Sequence, residues 1–465
     1  MKKKVFIVLS VVVVLAAAYI IFNRFDIPKQ PLEYTIEELR GNPSFDWDNG
    51  YYRLWSLGEA PSADIESPDF LLKYRRLFDP QYDNDKYIKE WDQETYKKSN
   101  VKNWGTKFDA FKPYNLPYGS IKDSAQHYLE HKEHVVKLQS EIEILMNRYQ
   151  KLIDCERFED FTLFRIDSPI PNLLIWLNAA KQYNRFYLLQ AMDGEWLQGA
   201  AKLLDQIRFG KKANKGSVVL ITNLVAKGVV RITLRGLSSL MNRKDCPKEV
   251  YEQVLNNLPE LEYKEYGSWP LAGEYLYQPI DSWDSLAGYY KMGFWEKKLL
   301  YFFTQPNRTN KYKNDHMVKV IECDRTPPYK WTSDPRETKD VKSGWFWWLR
   351  NPGGKIIYEK YLKGDAESIA KVVQRTYAAK TVYDMVKISA GLHLNYTPDK
   401  PVQEILNGLE TYKALLDPCS GKPYRWNDEK QVLYSIGVDR KDDGGNQDHN
   451  KFEGDFVLPV ILYLK

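Results

Sequence analysis

Tyr128, His131, Val135, Leu138, Ile142, Leu145, Tyr149 and Leu152 follow one another at steps of three and four. That spacing places all eight on one face of an α-helix of about seven turns. Glu, Lys and Gln occupy the other faces. An apolar stripe of this length is unstable in water unless other helices cover it. The seam therefore commits the middle of the chain to a packed helical body.

The sequence after the seam supplies the covering elements. Pro169 and Pro171 punctuate the start, Leu173 to Met192 reads as a helix, and Gly194 breaks it. Trp196 to Phe209 reads as the next helix. A glycine- and lysine-containing loop, Gly210 to Gly216, then leads to Ser217–Met241. In that very apolar last segment Lys227, Arg231 and Arg235 recur every four residues. They make one charged stripe, a solvated face, so the segment reads as an amphipathic core helix rather than a second membrane span. Short turns between these helices point to antiparallel hairpins. No fixed-period repeat is present.

The flanking regions differ. From Ile27 to Gly119 the chain is rich in Pro, Asp, Asn, Tyr and Trp, which predicts irregular structure with short helices packed by aromatic anchors. The sequence holds 33 Tyr and 14 Trp, so many rings must be half-buried with a polar tip wet or paired. Hydrophobic residues at 43% and charged residues at 28% fit a folded chain rather than a disordered one. A net charge of +5 is small for 465 residues and gives weak grounds for a nucleic-acid partner. Cys155, Cys246, Cys323 and Cys419 are far apart and form no C-x-x-C. They read as free, partly buried thiols, with one or two disulfides as the alternative in an oxidising compartment.

At the N-terminus Lys2, Lys3 and Lys4 precede an uncharged apolar run from Val5 to Phe22. Eighteen helical residues span about 27 Å, close to the hydrocarbon thickness of a bilayer. The lysines place the tip in the cytoplasm and the bulk outside. A cleaved signal peptide would use Ala16-Ala17-Ala18, but Tyr19–Phe22 continues the apolar run without a polar break, which favours an uncleaved anchor.

After Asn351-Pro352-Gly353-Gly354 a long helix is predicted from Ala366 to Leu394 and a short one from Val402 to Leu415. Tyr424–Trp426 and Gln431–Ile436 read as a hairpin around Asn427-Asp428, and Phe456–Leu464 as a final strand. The connecting residues carry a pattern: Asp417-Pro418-x-x-Gly421-x-Pro423-x-x-Trp426, then Leu433-Tyr434-Ser435-x-Gly437-x-Asp439, then Gly444-Gly445 and the later acid Asp455. A strand running into a carboxylate- and glycine-rich loop suits a hard cation, because oxygen ligands converge from a backbone able to turn sharply.

This order of elements, over Ala366–Lys465, resembles the globular end of the major pseudopilin of type II secretion. The resemblance implies a Ca²⁺ site after the strand. Asp439 and Asp455 would be side-chain ligands, Leu433 and Ser435 would lend carbonyls, and Asp443 and Asp448 would be additional ligands. The chain departs from those proteins in three ways. It lacks the Gly-Phe-Thr-Leu-x-Glu processing site, several hundred residues separate the N-terminal run from the pseudopilin-like end, and the loop from Gly445 to Asp455 is built differently. As a whole it resembles large bacterial envelope proteins that carry such an end after a helical body.

Signals for catalysis are sparse. There is no G-x-S-x-G elbow and no P-loop. One segment, His127-Tyr128-Leu129-Glu130-His131, matches H-x-x-E-H, in which two histidines one turn apart hold Zn²⁺ and the Glu serves as base. Glu195 is the candidate third ligand. Against this, His131 lies on the apolar seam and is accounted for as an interface residue. Glu274 and Asp281 flank Tyr275, Tyr277 and Trp283, a composition suited to a glycan or peptide groove and equally to aromatic packing under loops.

These readings predict a mainly α protein. It has a cytoplasmic tip and N-terminal transmembrane helix (residues 1–26), an irregular aromatic-rich segment (27–119), a helical-hairpin body (120–350) and a small α+β pseudopilin-like end (351–465). The expected function is that of a membrane-anchored envelope protein of structural or assembly type, stabilised by Ca²⁺ and binding protein partners rather than nucleic acid. The expected location is single-pass in the bacterial inner membrane, with the bulk outside the cytoplasm. The alternatives are a membrane-tethered zinc hydrolase using His127, Glu130 and His131, and a glycan- or peptide-binding receptor.

Overall fold

A computed structural model describes residues 43–79, 81–91, 104–112, 124–162, 168–260, 293–337, 350–448 and 453–463, with positions 13–14, 18–19 and 271. The chain separates into two compact units: residues 40–270, 325–331 and 374–465 form the larger, and 1–39, 271–324 and 332–373 the smaller.

In the larger unit the aromatic-rich segment forms short helices, among them α1 (Gly50–Ser56) and α2 (Pro68–Phe78). Asn49 starts α1. Its fully buried side chain accepts from the amides of Tyr51 and Glu159 and donates to the carbonyls of Ser44 and Glu159, at 2.9–3.1 Å. Ser67 caps α2, with Pro68 in the first turn where its missing N–H costs nothing. Rings then fill the space between these helices. Trp55 lies 4.7 Å from Tyr74, and Phe161 lies 4.6 Å from Tyr51 and 5.0 Å from Phe78. All five are buried.

The apolar seam is not one helix. It is divided into α3 (Ser124–Glu130), α4 (Lys132–Ser140) and α5 (Glu143–Ile153). The breaks fall at His131 (φ −115°, ψ 17°) and Ile142 (φ −117°, ψ 17°). At each, the amide reaches back three residues rather than four: His131 to Tyr128, and Ile142 to Gln139. Such tightened turns bend the chain while keeping the stripe on the body. Val135, Ile142, Leu145, Tyr149 and Leu152 are all fully buried as a result. Periodicity located the buried face but could not register the bends.

Three long helices form the centre of this unit: α6 (Leu173–Met192), α7 (Trp196–Gly216) and α8 (Leu220–Met241), followed by α9 (Lys248–Asn257). Asn172 caps α6 by accepting from the Ile175 amide at 3.3 Å. Helix α7 runs through the stretch expected to be a loop. A methyl group at Gly210 would sit 2.5 Å from a Val230 methyl, and one at Gly199 would sit 2.5 Å from the Tyr187 carbonyl. These glycines let α7 approach α8 and α6 closely. Composition suggested a break where the tertiary structure uses the same residues for packing.

Helix α8 also corrects the expected solvated stripe. Lys227 is 4% exposed and donates to Thr376 Oγ1 at 2.6 Å, while Arg231 and Arg235 are half-buried.

The smaller unit contains α10 (Phe294–Phe303), α11 (Pro306–Arg325, its last residue assigned to the larger unit) and α12 (Pro352–Ile357). Asn351 precedes α12 in the left-handed region (φ 53°) and is fully buried. Its Oδ1 accepts from the amides of Gln305 (2.6 Å) and Gly354 (3.2 Å), and its Nδ2 donates to Thr309 Oγ1 (3.1 Å). A π-helical turn, Tyr358–Leu362, joins α12 to the 33-residue helix α13 (Lys363–Asn395), which belongs to the larger unit from Gln374 onward.

Beyond α13 lie α14 (Val402–Gly408) and α15 (Glu410–Ala414), then β1 (Arg425–Asn427), β2 (Val432–Ser435), β3 (Gln447–Asp448), β4 (Glu453–Gly454) and β5 (Phe456–Pro459). The main sheet is antiparallel in the order β1-β2-β5, and β3 pairs with β4. Asn242, just past α8, holds the terminal strand. Its Nδ2 donates to the Pro459 carbonyl and its Oδ1 accepts from the Ile461 amide, both at 3.0 Å.

The expected fold class and location need one correction. Of the run 5–22, only Val13, Val14, Ala18 and Tyr19 are among the described residues. No helix of the described residues is long and apolar enough to cross a membrane. The most apolar long helix, α8, carries Lys227, Arg231 and Arg235 across its middle, and such charges are costly in hydrocarbon. The transmembrane element and the single-pass inner-membrane placement are therefore not carried forward.

Arg148 provides a test of how the seam is attached. From α5 it donates to the carbonyls of Ser56 (3.1 Å), Glu59 (2.9 Å) and Ala60 (2.8 Å). Arg148→Ala strands these acceptors and should lower unfolding stability by about 3 kcal/mol or more in a denaturant titration. Val136→Ala, at a position 48% exposed, should change it by less than about 0.5 kcal/mol.

Candidate functional site

The C-terminal loop is built on β2. As the central strand, β2 sets Leu433 opposite Trp426 on one side and Leu458 on the other. Leu433 thus lies within the ladder on both sides. Ser435 ends the strand, paired with Phe456. Its hydroxyl donates to Asp417 Oδ1 at 2.7 Å, and Asp417, 2% exposed, also accepts from the Cys419 amide at 2.9 Å. Ser435 thus locks the Asp417-Pro418 turn to the sheet.

The acids beyond β2 have separate roles. Half-buried Asp439 accepts from the Lys441 amide at 3.3 Å. Asp442 is ion-paired with Arg425 of β1. Asp443 is exposed. Asp448 lies in β3 opposite Glu453. Asp455 is fully buried, and its carboxylate accepts from the amides of Gly445 (2.6 Å) and Asp443 (3.4 Å). Its own amide donates to the Asn446 carbonyl at 3.0 Å. The acid therefore closes the loop as a clasp. Gly445 (φ 74°) takes a left-handed conformation at this point, which favours glycine. The carboxylates of Asp439, Asp443 and Asp455 do not form a group whose ligand atoms all lie within 4.8 Å of one another.

Electrostatics sharpen the role of Asp455. Burial raises its carboxyl above the ordinary range, and the nearby Asp443 charge adds to the rise, while the loop amides oppose it. No Lys or Arg among the described residues forms an ion pair with it.

The other sequence candidate does converge. Ligand atoms of His127, Glu130 and His131 all lie within 4.8 Å of one another, the one such His/Cys/Asp/Glu group among the described residues. Helix spacing of i, i+3 and i+4 brings the first two and the bend residue His131 to one side. The imidazole rings are 5.0 Å apart at 73°. Both histidines are half-buried and Glu130 is exposed. Tyr128 anchors the segment: it is 8% exposed, and the buried Arg185 guanidinium lies 5.1 Å from its ring centre. Glu195, the expected third ligand, is outside the cluster. It precedes α7 and accepts from Gln190 Nε2 at 2.5 Å. The zinc-hydrolase constellation is consequently incomplete: if Glu130 binds metal, no base remains in the group.

Glu274, Tyr275, Tyr277, Asp281 and Trp283 lie outside the described residues. All four cysteines are free thiols and buried. Burial pushes Cys155 and Cys323 up to about 11, which disfavours the reactive thiolate.

Sequence reasoning missed one charged site. Lys380 and Asp384, one turn apart on α13, form a buried ion pair. Asp384 also accepts from Tyr424 Oη at 2.9 Å, and the Tyr424 carbonyl accepts from Tyr412 Oη at 2.5 Å. The i,i+4 spacing was visible, but nothing in the sequence marked this face of α13 as buried.

The raised Asp455 carboxyl makes a pH prediction. A carboxyl whose folded pKa exceeds its unfolded value contributes stability that is full below about pH 4 and is lost as pH rises through the folded pKa. In metal-free buffer the stability of the native chain relative to Asp455→Asn should therefore decline as pH rises from about 4. A flat difference in paired melts across that window would contradict the assignment.

No protein-family model matches the chain, and no curated protein or solved structure is significantly similar to it.

Proposed function

We propose that this chain is a structural or assembly protein that acts by binding protein partners, with a C-terminal end stabilised by Ca²⁺. The observation that carries the reading is Asp455, a fully buried acid beside the acidic Asp443 at the closure of a glycine-rich loop. A hard cation there would offset both the desolvation of Asp455 and its repulsion from Asp443. Asp439, Asp443 and Asp455 are the side chains that would serve, with Asp448 on the adjoining strand. The carbonyls of Leu433 and Ser435, on the strand that leads into the loop, are the backbone oxygens that would join them. The pseudopilin resemblance supplies the same cation and ligand region. Membrane anchoring forms no part of the proposal.

A structural role is the reading that the closed C-terminal loop supports. The acids close a loop that Asn242 and the Lys380–Asp384–Tyr424 network fasten to the helices.

Ca²⁺ at about 100 times its Kd would stabilise the folded state by about 2.7 kcal/mol. The full chain should therefore melt roughly 5 °C higher in Ca²⁺ than in chelator. Asp439→Ala should remove that difference, and Mg²⁺ should not replace Ca²⁺. Equal melting temperatures in Ca²⁺ and chelator would refute the cation. Cross-linking in the source cell addresses the role: a stoichiometric protein partner is expected, and recovery of this chain alone would refute it.

A further inference from the structure

We propose that His127, Glu130 and His131 form a transition-metal site, Zn²⁺ in the first instance, in which Glu130 is a ligand rather than a base. The ion would fix the bend between α3 and α4. This inference does not rest on the calcium reading, since the two sites are distinct in sequence and differ in ligand chemistry.

Three observations support it. First, the donors are two imidazoles and one carboxylate, a set that suits Zn²⁺ and neighbouring first-row ions and is poorly matched to Ca²⁺ or Mg²⁺. Their ligand atoms already lie within 4.8 Å of one another. Zinc binds at about 2.0–2.2 Å from each donor, so small side-chain rotations suffice to bring the three around one ion. Second, the backbone holds the set in place. His127 and Glu130 lie in the last turn of α3, and His131 is the residue at which the helix breaks, with Lys132 resuming as α4. Tyr128, between them in sequence, is packed under Arg185 and turns its neighbours outward. An ion bridging His131 to the two α3 ligands would therefore cross-link the bend at the tightened turn that the His131 amide makes to Tyr128. Third, Glu130 is exposed, so the ion has a path in from solvent and a water can complete the coordination.

Glu195 lies outside the cluster, so the ligand set differs from the one the hydrolase reading expected. With Glu130 as a ligand, the group itself holds three protein donors and no further carboxylate. His134 is exposed and is not part of the group, so it serves as an internal control.

The test uses the full chain, stripped with chelator and titrated with ZnCl₂ by calorimetry, with bound metal counted by elemental analysis after dialysis. One Zn²⁺ per chain is expected. His127→Asn combined with His131→Asn should abolish binding, and His134→Asn should leave it unchanged. Glu130→Gln separates ligand from base: as a ligand its loss should weaken Zn²⁺ at least tenfold, whereas a base could be lost with affinity intact. Each variant's far-ultraviolet circular dichroism establishes that it is folded. Replacement with Co²⁺ should give the visible absorption of nitrogen and oxygen coordination in the native chain and lose it in the double variant. Less than stoichiometric zinc in the native chain would overturn the site. So would undiminished zinc in the folded double variant, and unchanged affinity in Glu130→Gln would overturn the ligand role.

Discussion

The close approach of α6, α7 and α8 is the contact on which the larger unit depends. Gly199 and Gly210 remove the side chains that would hold the helices apart. Apolar faces then meet at short range, where dispersion and water exclusion are strongest. The helices are long enough for this contact to outweigh the propensity cost of glycine inside a helix, about 1 kcal/mol each. Other elements attach to this centre.

They attach through a shared apolar core and through buried polar groups that fix their positions on it. Arg148 gathers the carbonyls after α1, Asn49 sets the start of that helix, and Asn242 receives the final strand. Lys380, Asp384 and Tyr424 tie α13 to the start of β1. A buried ion pair contributes little net stability against an apolar replacement, but breaking one partner is expensive. These groups thus select one arrangement of irregular segments that hydrophobic contact alone would leave degenerate. Within the smaller unit Asn351 does the same for α12.

The two candidate metal regions differ in the same physical terms. In the C-terminal loop the acids are dispersed and mostly engaged with backbone amides, so a cation there would reinforce a clasp that is already closed. At the bend after α3 the donors are softer and already adjacent. Local helix spacing is sufficient to bring His127, Glu130 and His131 together, whereas uniting Asp439 with Asp455 depends on the ladder between β2 and β5. Proximity of the first set was legible in the sequence for that reason. The bend at His131 was not.

By itself the sequence located the apolar face along Tyr128–Leu152, most of the long helices, and strands at Tyr424–Trp426, Gln431–Ile436 and Phe456–Leu464, which form over Arg425–Asn427, Val432–Ser435 and Phe456–Pro459. Each follows from a period of 3.6 or 2 or from a turn residue, and such signals act over a few positions. Tertiary structure decided the rest. It continued α7 through Gly210–Gly216, and it buried Lys227 against Thr376, 149 residues away. It placed Glu195 away from the histidines and made Asp455 a clasp. These outcomes turn on which surfaces meet, and a charge or glycine in sequence carries no record of what will pack against it.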